Sequence, residues 1–302
     1  MKIEWKKITL EDKMLLEPYY QYEQSCSCEV SFANNLLWAP FYEVEYAVIE
    51  NMVVFFTGRN GYSVSMPMAK DDITSANLEK VILQLEDYFE QVGQPFHIHL
   101  VTREKFELLE SLFPGKYEIE FERDAADYVY ETEKMISLAG KKLHGKRNHI
   151  NKFKENNPDW SYEPLTKENL NECLQMAEQW KCMNLCGEKG EKHVEFCVTR
   201  RALTQFQELG LKGGVLRDGK RIVAFTLGEE LNREMFVVHI EKAFAEVQGA
   251  YPMINQQFLM HEASQYQYVN REDDTGAEGL RKAKLSYYPA FLQEKGNVTL
   301  KK

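Results

Sequence analysis

The chain has 302 residues, 44% of them hydrophobic and 28% charged, with a formal net charge of -10. That length predicts two domains and the apolar content excludes a disordered chain. The acid excess argues against coating nucleic acid through a broad basic surface, and no run approaches the ~18 apolar residues of a membrane helix.

The charged start MKIEWKKITLEDK lacks the apolar core of a signal peptide, so the expected location is the cytoplasm. Ile3 to Ile8 reads as a strand. Thr9 to Tyr20 reads as a helix capped by Thr9, with Asp12 in its first turn. Tyr46 to Met68 alternates in strand-like runs joined by turns at Glu50-Asn51 and Asn60-Gly61. Ser75 to Gly93 places Leu78, Val81, Ile82, Leu85, Tyr88 and Phe89 at helical spacing and stops at Gly93. PFHIHLVT reads as a buried strand, Arg103 to Leu112 as a helix, and Tyr117 to Tyr130 as further strand.

The second half repeats the order. Trp160 to Leu165 is a strand, Thr166 to Trp180 and His193 to Gly210 are helices, and GGVLR, RIVAFTLGEEL and EMFVVHIEKAF are three strands. Asp218-Gly219 turns the first of these into the second. A helix over Ala250 to Ser264, the strand YQYVN, and a last helix and strand complete the chain. Strand, helix, antiparallel meander, helix, strand, helix, strand in each half predicts an α+β fold of two mixed sheets flanked by helices.

Six cysteines in a chain expected in the cytoplasm read as free thiols. Cys182, Cys186, His193 and Cys197 could together offer four soft ligands, but C-x3-C is not the usual knuckle spacing and the expectation is no metal. No Ser-His-Asp, P-loop or HExxH pattern is present, and His239, in an apolar strand, reads as a satisfied core residue.

Three elements carry candidate chemistry. Lys134 to Lys154 holds seven Lys and Arg and no acid. Ile136, Leu143, Ile150 and Phe153 fall on one stripe, which predicts an amphipathic helix over residues 134–157 joining domains 1–133 and 158–302. Lys142, Lys146, Arg147 and Asn148 are its candidate anion ligands; a solvated basic face is the bland alternative. Second, Asn270 and Arg271 follow a strand and could orient a substrate, while Asp273 or Asp274 could accept a proton from an attacking amine. The alternative there is a capped turn. Third, Arg281, Lys284 and Tyr288 step along one helix face as a second basic wall, or as ordinary exposed cations over a packed helix.

LAGKKLHGKRNHINKFKE (Leu138 to Glu155) and YVNREDDTGAEGLRKAKLSYYP (Tyr268 to Pro289) resemble the two signature stretches of the DUF2156 family, related to the C-terminal domain of phosphatidylglycerol lysyltransferases. The resemblance implies two tandem Gcn5-related N-acetyltransferase (GNAT)-like domains, similar to Fem-type peptidyltransferases. It also implies transfer of an aminoacyl group from a charged tRNA, or a similar phosphorylated donor, to an amine or hydroxyl acceptor. The expected partner is then an anionic small molecule or an aminoacyl-tRNA acceptor end, and no cofactor is required. Acyl-CoA-dependent relatives hold pyrophosphate on a glycine loop at a helix N-terminus. Here Glu246-Val247-Gln248-Gly249-Ala250-Tyr251 stands in its place, so Gly249, Ala250 and Tyr251 form a degenerate loop, and the acid argues against acyl-CoA. Two alternatives stay open: an acetyl-CoA-dependent N-acetyltransferase, and a non-catalytic protein that binds an anion, a tRNA or another protein.

Overall fold

The computed structural model describes residues 3–59, 61–72, 74–185 and 191–301. The turn expected at Asn60-Gly61 and the ligand set through Cys186 therefore fall partly outside the described residues. Two compact units are present: Met1–Asp127 with Asp273–Arg281 and Leu292–Lys302, and Tyr128–Glu272 with Lys282–Phe291.

In the first unit the sheet order is Lys6–Lys7, Glu45–Ile49, Met52–Thr57, Ser63–Val64, His97–Thr102, Lys295–Leu300, Tyr117–Phe121, with Met68–Ala69 also beside Met52–Thr57. Glu50 and Asn51 take φ of 49° and 64°, the conformation a two-residue hairpin needs. Helix Ser75–Gln91 buries Leu78, Val81, Ile82, Leu85 and Phe89 in the main apolar cluster of this unit. Each such side chain contributes about 1.5–3 kcal/mol by leaving water. Helix Phe32–Tyr42, which the sequence reading passed over, starts at Ser31, whose hydroxyl accepts from the Asn34 N–H at 3.0 Å.

The end of the chain departs from the expected boundary. Lys295–Leu300 pairs with both His97–Thr102 and Tyr117–Phe121 in the first unit, whereas the sequence predicts one domain over residues 158–302. Gly296 is what permits the fit, because a Cβ there would lie 2.6 Å from the Glu120 carbonyl oxygen. Lys295 enters the same unit as a fully buried cation. Its Nζ lies 2.9 Å from Asp127 Oδ1, 2.6 Å from Glu29 Oε1 and 3.8 Å from Cys28 Sγ. Burial alone would neutralise it, but Asp127, Cys28 and Glu29 hold its pKa well above that of an ordinary lysine. Cys28, Glu29 and Asp127 converge as metal ligands would, yet the ammonium already supplies their positive charge.

In the second unit Met235–Ala243, Arg221–Asn232, Lys212–Asp218 and Trp160–Pro164 form an antiparallel meander, and Tyr268–Asn270 pairs parallel to Met235–Ala243. The basic stretch is two helices, Thr132–Ser137 and His144–Asn156, and not the single helix expected. Leu138 (φ 48°) and Gly140 (φ 88°) turn the chain left-handed between them. The Arg147 guanidinium locks that turn by donating to the Leu138 carbonyl and, at 2.8 Å, to that of Gly140.

Helix His144–Asn156 packs on helix Ala250–Phe258 through Gly249. Gly249 has φ 85°, and a Cβ on it would sit 2.2 Å from the His149 carbonyl oxygen. Gly249→Ala is therefore expected to cost about 2–4 kcal/mol, from left-handed strain plus backbone overlap. Urea denaturation measures it, and an unchanged midpoint would rule out this close packing.

Candidate functional site

The second unit's sheet opens at one point. Met235–Ala243 pairs with Tyr268–Asn270 only from Met235↔Tyr268 to Val237↔Asn270. Beyond Val237 this edge has no β-partner among the described residues, and both strands point their carboxyl ends into the gap. Open sheets bind ligands at such places.

The residues around the gap are polar and tightly paired. His239 and Glu241 stand two residues apart on their strand, His239 at the point where its register with Arg221–Asn232 shifts. Glu241 Oε1 accepts from Arg271 Nη2 at 2.9 Å and Oε2 from Asn255 Nδ2 at 2.8 Å. His239 contacts Glu272 through Nδ1 at 2.7 Å and Glu229 through Nε2 at 3.0 Å. Burial pushes this histidine toward neutrality, but Glu229 and Glu272 reverse that and raise its pKa to about 10, so it is an imidazolium with both N–H groups spent. Core placement of His239 agrees with the sequence reading; its two carboxylate partners were not foreseen.

Tyr287 is the hub. The Lys146 ammonium lies 3.9 Å from its ring centroid and the Arg271 guanidinium carbon 5.1 Å from the same centroid. Such cation–ring contacts contribute about 0.5–2 kcal/mol. Tyr130 meets Tyr287 edge-on at 6.4 Å and donates its hydroxyl to the Lys284 carbonyl at 2.8 Å. Lys146 is half-buried and its ammonium makes no ion pair or hydrogen bond among the described residues. Burial, aided by Arg271 and opposed by Glu241, lowers its pKa to about 8. One carboxylate thus serves two neighbouring cations, and Arg271 has taken it.

A cavity of about 480 Å³ continues from Tyr287 and Tyr130 to Lys134, Lys141, Lys142, Gly140 and Tyr288. Lys142 Nζ stands 5.1 Å from the Tyr288 ring centroid. Tyr288 takes φ 56° and follows a helix that ends at Leu285, so it leaves the face expected to carry it with Arg281 and Lys284.

The structure gathers Lys142, Lys146, Arg271 and Tyr288 around the two tyrosines, and puts other expected ligands to different use. Lys284 is buried and its Nζ donates to the carbonyls of Arg271 at 2.6 Å and Glu272 at 3.1 Å. Asn270 is fully buried, its Oδ1 accepting from the Glu272 N–H at 2.6 Å. Arg147 serves the 138–140 turn, and Asn148 lies 3.4 Å from His144 Nδ1 on another side of the helix. Asp273, Asp274 and Arg281 belong to the first unit. There Asp274 is fully buried and holds Arg281 through both oxygens, 2.8 Å each, while Asp273 accepts from the Thr275 N–H at 3.0 Å. Gly276, at φ 74°, is the turn residue of the alternative reading, but the helix begins at Glu278, so neither Asp274 nor Thr275 is its N-cap. Glu241 and Tyr287 were missed as site residues; the only signal for Glu241 was its place two residues after His239.

The degenerate loop does not fit a pyrophosphate. The backbone of helix His144–Asn156 fills the space beside Gly249, Ala250 is buried, and Glu246 lies 3.3 Å from Arg221 Nη2. Tyr251 is partly exposed, and burial of its hydroxyl raises its pKa. Among the described residues no helix is long and apolar enough to cross a membrane.

A family model described as phosphatidylglycerol lysyltransferase, C-terminal, matches residues 21–295. A crystal structure of a conserved protein of unknown function from Bacteroides thetaiotaomicron is 36% identical, with a TM-score of 0.92 over 99% of this chain and 100% of that one. L-PGS from Bacillus licheniformis superposes with a TM-score of 0.66 at 16% identity over 99% and 94% of the two chains. FemX does so with 0.61 at 8% over 98% and 96%. These last two likenesses show the fold. An uncharacterized protein of Mycoplasmoides gallisepticum is 28% identical over 182 residues, and the match spans 58% of that protein's length. The fold is the tandem GNAT-like α+β arrangement, and the chain belongs to the phosphatidylglycerol lysyltransferase C-terminal family.

Proposed function

We propose that the second unit transfers an acyl group, and specifically an aminoacyl group carried on the acceptor end of a tRNA, to an amine or hydroxyl acceptor in the cytoplasm. The observation that carries this reading is Lys146: a half-buried ammonium without a counter-ion, set against Tyr287 beside the Arg271–Glu241 pair. An isolated cation in such surroundings is costly unless an anion completes it.

The chemistry follows from the charges. Lys141 and Lys142 line the tyrosine-walled cavity and attract donor phosphates, while Lys134 is paired there with Glu131 at 2.7 Å. The ester carbonyl lies toward Lys146 and Arg271, which face the oxyanion that forms when the acceptor attacks; its collapse breaks the ester C–O bond, and the proton lost by the acceptor leaves on the freed tRNA hydroxyl. Fixed cations aimed at that charge need no reorganisation during the reaction and supply most of the acceleration such sites give. Holding donor and acceptor together supplies the rest, with no covalent enzyme intermediate. Glu241 sets the orientation of Arg271, as Asn255 does that of Glu241.

The donor is tested by offering the protein radiolabelled aminoacyl-tRNA and acetyl-CoA separately with a pool of amine and alcohol acceptors. Label is expected to leave tRNA for an acceptor above the protein-free blank, with no acetyl transfer. Acetyl transfer without aminoacyl transfer would replace this reading with the CoA-dependent one.

A further inference from the structure

A second cavity, of about 280 Å³, runs along a different side of helix His144–Asn156. We propose that it binds a phosphate ester, at a site separate from the one that transfers the acyl group.

His144, Arg147, Asn148, Asn151 and Lys154 follow one another at i, i+3, i+4, i+7 and i+10, which puts them on one side of the helix along ~15 Å of its axis. Ser137 and Gln256 close the cavity opposite them, and no carboxylate among the described residues lines it. Every side chain that faces it through a polar atom is a cation, an amide, an imidazole or a hydroxyl. Neither Lys146 nor Tyr287 takes part.

The cavity is also pre-set. Arg147 Nη1 is anchored on the Leu138 and Gly140 carbonyls, while Nε and Nη2 have no bond among the described residues. A guanidinium held by one nitrogen presents its remaining edge as a fixed two-donor fork, which matches two oxygens of a phosphate. Gln256 Nε2 is fixed on the Ile136 carbonyl at 2.7 Å, and the Lys154 ammonium is held 5.3 Å from the Trp160 ring centroid. A carboxylate would be satisfied by the arginine alone. Donors spread over ~15 Å suit a phosphate with two or three free oxygens and an esterified body attached to it. That body is either a free phosphorylated metabolite or the backbone of a polynucleotide.

Calorimetric titration of the full chain with inorganic pyrophosphate, adenosine 5′-monophosphate and a short single-stranded RNA tests the site. Asn151→Glu and Lys154→Glu, both at exposed positions away from the core, are each expected to weaken binding about tenfold or more, by placing an acid in the cavity. Lys146→Met should change it less than about twofold, whatever the fate of the transfer reaction. Tighter binding of RNA than of the monophosphate, with a steeper salt dependence, marks the polynucleotide backbone as the source. Equal or tighter binding of the small phosphates marks a metabolite. No binding of any of the three probes, binding unaffected by both acid variants, or binding abolished by Lys146→Met would each overturn the proposal.

Discussion

Lys146→Met is expected to abolish acyl transfer, lowering kcat/KM by about 10²–10³-fold, the range for losing one charge-stabilising donor, while making the protein more stable. The two effects share a cause. The folded state lowers the pKa of Lys146 to about 8, so at neutral pH it holds a proton that its surroundings disfavour. The unfolded chain, with an ordinary lysine pKa, binds more protons between about pH 8 and 10.5, so stability rises with pH across that window. Below it the full penalty is present. Methionine removes the penalty and keeps the contact with Tyr287. Allowing for the partial exposure of the group, the gain is about 1–2 kcal/mol at pH 7, and the rise in stability between pH 8 and 10.5 should flatten. Activity should fall in the wild type as pH rises through 8 and the ammonium is lost. A methionine variant that is both less stable and fully active would assign Lys146 to packing.

The largest loss of stability is expected from Lys295→Met. Lys295 and Asp127 are both fully buried, and the change would leave the carboxylate without its ammonium, the Cys28 N–H still donating to it at 2.9 Å. Removing one partner of a buried pair costs about 3–5 kcal/mol, whereas removing both can be nearly neutral. Asp127→Asn combined with Lys295→Met should therefore recover much of the loss, since the amide can no longer carry a stranded charge. Chemical denaturation of the two variants decides between an ion pair that locks the last strand in place and a lysine whose stem alone matters. Equal losses in the single and double variants would favour the stem.

What the sequence revealed, and what it hid, divides by the range of the interaction. Helix Ser75–Gln91 was legible because its apolar positions repeat at 3.6 residues and Gly93, at φ 68°, stops it. The hairpin at Glu50-Asn51 was legible from its flanking strands. Helix Phe32–Tyr42 was not, because its apolar residues crowd most of its faces and leave no stripe to detect. The basic stretch read as one helix because nothing in its composition marks Leu138 for a left-handed turn. Gly140 and Gly145 lowered helicity in the sequence without saying where the break falls.

The fates of the cations were hidden for a different reason. A run of Lys and Arg shows available charge, but the groups that use it stand far along the chain. Arg281 pairs with Asp124 as well as Asp274, Lys284 serves the carbonyls of Arg271 and Glu272, and Lys295 is neutralised by Asp127 and Glu29. Lys146 became informative only by elimination, as a lysine that found no such partner. The acid that matters beside it, Glu241, is one of 47 Asp and Glu residues, marked only by its place two residues after His239.

The central claim is that Lys146 completes an anionic, acyl-bearing ligand in the second unit. A short oligonucleotide carrying an amide-linked 3′-amino acid, which cannot be transferred, tests it by titration into wild type and Lys146→Met at pH 7. In wild type the amino acid should tighten binding relative to the same oligonucleotide without it, and Lys146→Met, folded and the more stable of the two, should lose about tenfold of that gain. Equal affinity for both proteins would contradict it.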